Sequence, residues 1–314
     1  MTASDIGTIR VDLPHLMRME FRTRGISFQP RQPHGSVLAG RHASRLRGRG
    51  LNFEELRDYL PGDDPRTIDW KVTLRTGSPH VRAYTDERDR PALFVVDQRM
   101  TMFFGTRRAM KSVVAAELAA IGMWMAFAAG DRSGALVFND SRIAAIRPHR
   151  SRKRIQHVCS EIVAMNSELA AESAARTDYN QLDEALAGAL NLAAHDHLLV
   201  VISDFAGSGE RTQRLLRQLS AHNDVVAILV FDPAAKALAR DMRIVVSGGD
   251  LQVELDLAQG RVREPIERYF SGRLEGVGDL LRRSGVPLMA VDTEGETLDQ
   301  FRGFLGSLTR RRHV

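Results

Sequence analysis

Two apolar runs, each stopped by an acidic residue, stand out in this chain. The clearer run is Leu93–Val96, which follows Pro91 and is stopped by Asp97. A continuous apolar run bounded by turn residues is typical of a parallel strand that is buried on both faces. The second run, His197–Ile202, is soon followed by Asp204. The pattern therefore predicts two buried strands that each end near a carboxylate.

Stretches with helical periodicity alternate with further apolar runs through the rest of the chain. The predicted helices cover residues 107–129, 151–165, 181–194, 209–221, 265–283 and 296–308. Further predicted strands cover residues 134–138, 143–146, 225–231 and 287–291, and residues 244–246 and 253–257 predict a hairpin. Strands separated by helices are joined by crossovers, which give a mostly parallel sheet. The predicted fold class is α/β, with a doubly wound sheet and helices on both faces.

The N-terminal part of the chain is more polar and richer in turn residues. Residues 13–21 and 52–59 predict short helices, and residues 68–84 alternate in places as a strand does. We therefore divide the chain into an N-terminal extension, residues 1–86, and an α/β domain, residues 87–314.

The composition is that of an ordinary globular protein, with 43% hydrophobic and 26% charged residues. Cys159 is the only cysteine, which excludes a disulfide framework and a thiolate metal cluster. The longest apolar run, residues 113–129, is interrupted by Glu117, and this favours a buried helix over a membrane span. No apolar leader is seen at the N-terminus. We expect a cytoplasmic protein without a transmembrane segment, with peripheral membrane association left open.

Basic residues outnumber acidic ones by 44 to 39, for a formal net charge of +5. The basic residues are nearly all arginine; the lysines are Lys71, Lys111, Lys153 and Lys236. A guanidinium binds carboxylates and phosphates through two parallel hydrogen bonds. Because acidic residues are interspersed along the whole chain, no nucleic-acid partner is expected.

The two acids at the strand ends are the candidate chemistry. Ligands of open α/β sheets gather at the carboxyl ends of the strands, so Asp97 and Asp204 are expected at one edge. With the hydroxyls of Thr101 and Thr177, they supply the oxygen ligands that Mg²⁺ prefers. Alternatively, the acids cap helices or pair with arginine. A phosphoaspartyl enzyme requires a second aspartate two residues after the first, and that position is Arg99.

The block Gly50–Glu87 is long and chemically unusual. It contains the strings NFEELRDY, PGDDPR and IDWK. These strings resemble the bacterial family called domain of unknown function 58, and the resemblance covers roughly residues 48–232. Proteins of that family carry a von Willebrand factor A-like domain and are commonly encoded beside MoxR-type AAA+ ATPases. Many members also carry two N-terminal membrane helices, and we expect a shortened form here because none is recognisable.

The resemblance implies a metal-ion-dependent adhesion site. That site is built from an Asp-x-Ser-x-Ser string, a threonine on a second loop and an aspartate on a third loop. The matching positions are Asp97, Arg99, Thr101, Thr177 and Asp204. A guanidinium beside Mg²⁺ would be repelled by on the order of several kcal/mol. We therefore expect that Arg99 either swings away from bound Mg²⁺ or itself neutralises the two aspartates in a degenerate, metal-free site.

The family-specific block also needs an explanation for its density of charge. Its candidate partner-binding residues are Arg57, Asp58, Asp63, Asp64, Arg66, Asp69 and Trp70. One hypothesis is a salt-bridged plug that fastens the block to the sheet domain, with Trp70 as its apolar anchor. The other hypothesis is a docking surface for the ATPase.

The expected function is that of a non-enzymatic adaptor. It would work with a MoxR-type AAA+ ATPase and a protein client in protein maturation or complex assembly. The alternative function is a metal-dependent hydrolase or phosphotransferase that uses Asp97 and Asp204.

Overall fold

A computed structural model describes residues 5–26, 51–60, 63–86, 90–170, 177–233, 243–247, 252–256, 272 and 274–310. The chain divides into two units. The smaller unit comprises residues 31–89, and the larger unit comprises residues 1–30 and 90–314.

The described helices and strands are numbered in chain order. The helices are α1 (Leu13–Arg22), α2 (Trp70–Thr76), α3 (Lys111–Ala129), α4 (Arg152–Ser167), α5 (Gln181–Leu192), α6 (Glu210–Ser220), α7 (residues 274–283) and α8 (Thr297–Arg310). The strands are β1 (Leu51–Asp58), β2 (His80–Asp86), β3 (Ala92–Asp97), β4 (Ser133–Phe138), β5 (Ile143–His149), β6 (Leu198–Ser203), β7 (Asp224–Phe231), β8 (Arg243–Ser247), β9 (Gln252–Asp256) and β10 (Leu288–Asp292).

The larger unit is built on a six-stranded sheet in the order β10-β7-β6-β3-β4-β5. Its strands pair in parallel except β5, which runs antiparallel to β4 at one edge. Side chains alternate across β3, so that Phe94 and Val96 pack with α1, α3, α4 and α8, while Leu93 and Val95 pack with α5, α6 and α7. The predicted α/β class, with a mostly parallel sheet covered on both faces, is confirmed.

Within the larger unit, the predicted elements agree with the observed ones to within a few residues at their ends. The hairpin is observed as the pair β8 and β9. Part of the helix predicted over residues 265–283 lies outside the described residues. Helix α3 begins at Lys111 and not at Arg107, because Asp232 accepts hydrogen bonds from both the backbone N–H and the hydroxyl of Thr106 and holds this segment as a loop.

Helix α3 is the central helix of the larger unit. Gly122 lets it lie close to the sheet, since a Cβ at this position would come within 2.4 Å of the Phe94 ring. The helix ends at Gly130, which adopts the left-handed conformation with φ of 92°. By length and composition α3 could cross a membrane, but 83% of its most apolar window is buried within the protein. A core helix of a globular domain has the same character.

Helix α1 was predicted within the N-terminal extension, and it packs in the core of the larger unit. Its first turn is capped by Asp12, whose Oδ1 accepts the N–H of His15 at 2.7 Å. Leu16 and Met19 are buried in the cluster that contains α3. A segment before the family-specific block therefore belongs to the same hydrophobic core as the sheet.

One buried carboxylate joins α1, α3 and α8. Glu117, in the middle of α3, lies 2.8 Å from Nε2 of His15 and accepts a hydrogen bond from the hydroxyl of Thr297. The guanidinium of Arg108 lies 3.4 Å from the same carboxylate. Burial alone would raise the pKa of Glu117, but the hydrogen bonds from His15 and Thr297 and the charge of Arg108 outweigh burial and lower it.

The smaller unit contradicts one prediction and confirms part of another. The helix predicted over residues 52–59 is wrong, because these residues form β1 and pair antiparallel with β2. A partner strand supplies every second backbone group with a hydrogen bond, which overrides the modest helix propensity of Glu and Leu. The strand-like alternation over residues 68–84 is confirmed only for β2, since Trp70–Thr76 forms α2.

Replacing Glu117 by Gln should lower the free energy of unfolding by about 2 kcal/mol near neutral pH, because hydrogen bonds to a charged group are lost. The lowered pKa means that the charged carboxylate stabilises the fold above its ordinary value of 4.5, and that this stabilisation disappears as the pH falls through the folded-state value. Urea denaturation across the range from neutral to acidic pH should show the difference between wild type and Glu117→Gln shrinking below about pH 4.5.

Glu161 is the matched control for this experiment. Its carboxylate pairs with Arg142 at 3.0 Å on the surface, and such pairs contribute about 0–1 kcal/mol. Glu161→Gln should therefore have little effect at any pH. A difference between wild type and Glu117→Gln that stayed constant down to acidic pH would contradict the assignment.

Candidate functional site

The two strand-end carboxylates meet at the carboxyl edge of the sheet. Strands β3 and β6 are direct parallel neighbours, with Val96 opposite Ile202. Asp97 is the last residue of β3, and Asp204 directly follows β6. Asp97 has no exposed surface and Asp204 is 5% exposed. The structure therefore brings together the two aspartates that the sequence predicts at one edge.

Arg99 occupies the space between these carboxylates. Its Nη2 lies 2.7 Å from Oδ2 of Asp97, and its Nε lies 3.1 Å from Oδ1, so that the guanidinium holds the carboxylate as a fork. Nη1 donates to the carbonyl of Ala206 at 3.1 Å, and Nη2 lies 4.0 Å from Asp204. The guanidinium also lies 5.5 Å from the centre of the Phe138 ring. Arg99 is thus an internal cation with no exposed surface.

The charge of Arg99 is fixed by this environment. Burial by itself would lower the pKa of the guanidinium, because it disfavours the charged form. The attraction and hydrogen bonds of Asp97, together with the charge of Asp204, outweigh burial and raise the pKa above its ordinary value. Arg99 therefore stays protonated at every pH at which the protein is folded.

Asp204 has a cation of its own. Nζ of Lys111, at the start of α3, lies 2.6 Å from Oδ2 of Asp204. The other oxygen, Oδ1, accepts the N–H of Ala206 at 2.9 Å and the hydroxyl of Thr101 at 3.3 Å. Asp97 likewise accepts the hydroxyl of Ser203 at 2.6 Å. Both predicted metal-binding carboxylates are thus bonded on each oxygen by groups of the protein itself.

Asp140 is a third carboxylate at this edge. Its two oxygens accept the backbone N–H groups of Met100, at 2.6 Å, and of Asp178, at 2.9 Å. Burial, with a smaller contribution from repulsion by Asp97, raises the pKa of Asp140 above its ordinary value. Thr177 lies in this same loop, directly before Asp178. The carboxylate of Asp140 joins the loop that carries Thr177 to the loop that carries Arg99 and Thr101.

Sequence reasoning missed the roles of Lys111, Ser203 and Asp140. Ser203 is adjacent to Asp204, and Asp140 stands in the turn after β4, so their positions at the end of a strand were available signals. Lys111 gave no such signal, because it contacts Asp204 across 93 residues of sequence.

The residues at this edge do not fit a divalent cation. Three carboxylates face two cations, Arg99 and Lys111, and each oxygen of Asp97 and Asp204 already has a donor. A metal bound there would have to displace a guanidinium that is buried on every side. Among the described residues, no group of three or more His, Cys, Asp and Glu side chains is arranged to hold a metal. Of the two arrangements expected from the sequence, the geometry is that in which Arg99 neutralises the aspartates.

A chain of buried amides ties this edge to the rest of the larger unit. Nε2 of Gln98 donates to the carbonyl of Ser112 at 3.0 Å, and its Oε1 accepts Nδ2 of Asn166 at 3.0 Å. Oδ1 of Asn166 in turn accepts the N–H of Val11 at 3.0 Å. The loop after β3 is therefore held rigidly by α3, by α4 and by the segment that precedes α1.

Three acids of the family-specific block have local structural roles in the smaller unit. Oδ2 of Asp63 accepts the N–H of Leu60 at 2.9 Å, and Oδ1 of Asp64 accepts the N–H of Arg66 at 2.9 Å. Asp69 caps α2 by accepting two backbone N–H groups, those of the second and third residues of the helix. These carboxylates fix turns, and they account for much of the charge density without a partner.

The remaining residues of the block are positioned differently. Asp58 lies 3.4 Å from Nε2 of His80 across the β1–β2 pair. Arg66 is exposed, and the side chain of Arg57 lies outside the described residues. Trp70 is 64% exposed.

Replacing Arg99 by Ser should convert the edge into a metal site. Without metal, this variant should lose about 3 kcal/mol of stability, because Asp97 is left buried without its cation. Mn²⁺ should then raise the unfolding temperature of Arg99→Ser, since it binds the folded state only. Isothermal titration with Mn²⁺ and Mg²⁺, paired with thermal unfolding, measures both effects.

Arg99→Lys is the control that retains a positive charge at this position. It should be destabilised, since an ammonium cannot reproduce the fork, but it should gain no affinity for Mn²⁺. Wild-type protein that bound Mg²⁺ or Mn²⁺ with a micromolar Kd would contradict the assignment of Arg99 as the cation of the site.

Asp69→Ala should destabilise the smaller unit by about 1 kcal/mol, because two N–H groups of α2 lose their cap. Hydrogen exchange of the α2 amides measures this effect directly. Asp58→Ala is the control, since its side chain is 78% exposed and its loss should change stability by less than about 0.5 kcal/mol. Equal protection of the α2 amides in both variants would contradict the capping role.

Similarities to known proteins bear on family membership. The family model "Protein of unknown function DUF58" matches residues 55–273. The uncharacterized protein Mb1516 of Mycobacterium bovis is 30% identical over 290 residues, which are 92% of this chain and 89% of that protein. The uncharacterized protein Rv1480 of Mycobacterium tuberculosis matches with the same identity and coverage.

Two solved structures resemble the fold distantly. The conserved hypothetical protein BatB from Bacteroides thetaiotaomicron aligns with a TM-score of 0.40 and 11% identity, over 72% of this chain and all of that chain. An aerotolerance-related membrane protein from Bacteroides fragilis aligns with a TM-score of 0.40 and 12% identity, over 68% of this chain and 96% of that chain. At this level of similarity no shared function follows. The family model spans more than half of the sequence, and the chain belongs to the DUF58 family of proteins of unknown function.

Proposed function

We propose that this chain is a non-enzymatic adaptor with a von Willebrand factor A-like domain. It works with a MoxR-type AAA+ ATPase in protein maturation or complex assembly. The observation that carries the proposal is the state of the two strand-end carboxylates, which are neutralised by Arg99 and Lys111. Such a site has the position of an adhesion site but recognises partners without a bound metal.

The same observation weighs against the hydrolase or phosphotransferase alternative. A carboxylate that attacks phosphate, or binds a catalytic metal, needs a free oxygen and access for the substrate. Asp97 has neither, because its oxygens accept hydrogen bonds from Arg99 and Ser203 and it is fully buried. The edge is therefore better suited to recognition than to reaction.

The surface next to this edge offers room for a client. A cleft of about 830 Å³ lies between the loop after β6 and helices α6 and α7. Its walls include the exposed ring of Tyr179 and the apolar side chains of Val277 and Leu280. The loop turns at Phe205, which has a positive φ of 53°, and the next residue, Ala206, bonds to Arg99. The ion-paired edge thus fixes one wall of a cleft with room for an extended peptide segment.

The proposal predicts binding without turnover. Purified protein should form a complex with the MoxR-type ATPase of its own genome, measured by size-exclusion chromatography with light scattering. Alone, it should hydrolyse ATP, phosphoesters and nucleic acid no faster than buffer does. Asp97→Asn should leave these blank rates unchanged.

Turnover by the wild-type chain that disappeared in Asp97→Asn would reverse the ranking and favour the enzyme. Absence of a complex with the ATPase at micromolar concentrations would remove the adaptor proposal. Bovine serum albumin in place of the ATPase controls for non-specific association.

A further inference from the structure

Helix α2 of the smaller unit is held in one fixed orientation on the β1–β2 pair. The hydroxyl of Thr73 accepts the N–H of His80 at 3.1 Å, and the hydroxyl of Thr76 lies 3.1 Å from Nδ1 of the same residue. Asp69 caps the start of the helix, and Gly77 ends it. One face of α2 therefore lies against the turn before β2, and the opposite face points outward.

The outward face carries large apolar side chains. Trp70 is 64% exposed and Leu74 is 85% exposed. These residues are four apart and thus lie on the same side of the helix. More than half of the large hydrophobic side chains that are exposed in the described part of the chain belong to this small unit; they are Leu56, Leu60, Trp70 and Leu74. Large apolar side chains that are exposed together on one face, as Trp70 and Leu74 are, mark an interaction surface.

Positive charge flanks the apolar pair. Lys71 and Arg75 are also four residues apart, they are exposed, and α2 contains no acidic residue. Within the described residues neither side chain has an ion-pair or hydrogen-bond partner. Arg66 is exposed as well. The surface therefore combines a tryptophan, a residue enriched in binding hot spots, with exposed cations that lack a partner among the described residues.

We infer that the α2 face, formed by Trp70, Lys71, Leu74 and Arg75, docks into an apolar groove rimmed by carboxylates on a protein partner. Trp70 and Leu74 fill the groove, and the two cations pair with its rim, which steers association and fixes orientation. This inference rests on the proposed function, under which the partner is the AAA+ ATPase. It assigns docking to the apolar and basic side chains of the block, and not to its acids.

A protein fits this surface better than a lipid bilayer does. Interfacial helices bury a long apolar face and keep basic residues on the other, whereas α2 has seven residues and only two large apolar side chains on its outward face. Asp58 and Asp64, which are close in the sequence, are exposed and would be repelled by anionic headgroups. A protein surface of mixed charge accommodates both signs.

The test measures the affinity of the purified full chain for the purified ATPase at low and moderate salt. Trp70→Ala should weaken binding at least about thirtyfold, as expected for a hot-spot tryptophan. The double variant Lys71→Glu with Arg75→Glu should weaken binding about tenfold and abolish the salt dependence. Two matched controls should bind as wild type does: Phe21→Ala, an exposed aromatic of the larger unit, and Lys153→Glu with Arg214→Glu, two exposed cations elsewhere.

Each other outcome overturns the inference. If the wild-type chain binds the ATPase and the α2 variants bind equally well, the docking surface is wrong while the adaptor function stands. If the wild-type chain does not bind, both are wrong. A fall in unfolding temperature for Trp70→Ala that exceeds that of Phe21→Ala would mean that the rest of the chain covers Trp70 in solution. Sedimentation with phosphatidylglycerol and phosphatidylcholine vesicles that Trp70→Ala abolished would assign the face to a membrane.

Discussion

The buried ion pair of Arg99 and Asp97 is the constraint on which the carboxyl edge of the sheet depends. Removing two charges from water costs several kcal/mol for each ion, and only close geometry with additional hydrogen bonds offsets this cost. The surroundings provide both: the fork of Arg99 on Asp97, the carbonyl of Ala206 and the hydroxyl of Ser203. These groups come from the loop after β3, from the end of β6 and from the loop that follows β6. The pair therefore fixes two loops relative to each other.

Under the proposed function, this constraint determines how the edge takes part in recognition. A metal-bound site can exchange a ligand for a partner's carboxylate, but a guanidinium with its donors already in use cannot. What remains for a partner is the surface that the ion pair holds in place, including the wall of the cleft at Phe205–Gly209. A rigid surface loses little conformational entropy on binding, so that affinity depends on the groups it presents. The edge contributes shape, and exposed side chains around it contribute the contacts.

A structural feature could be predicted from the sequence where the residues that cause it lie close together in the chain. The strand containing Leu93–Val96 could be predicted, because a strand that is buried on both faces consists of a continuous run of apolar residues. The strand Leu51–Asp58 could not be predicted in this way. It forms by pairing with β2, which lies further along the chain, and the local sequence pattern carries no sign of this pairing. The rotamer of Arg99 could not be predicted from the local sequence either, because the carbonyl that accepts the hydrogen bond of its Nη1 is 107 residues away. The capping role of Asp69, by contrast, could have been predicted from its place before a helix.

In the family-specific block, acidic side chains are interspersed with exposed apolar and basic side chains. Three of its acids, Asp63, Asp64 and Asp69, act within the smaller unit as turn and helix caps. A carboxylate that already accepts backbone N–H groups has less capacity left for a partner's cations. Trp70, Lys71, Leu74 and Arg75 of α2 are exposed. Under the proposed docking, the side chains that contact the partner are therefore the exposed ones of α2, led by Trp70, and not the carboxylates that cap turns and helices.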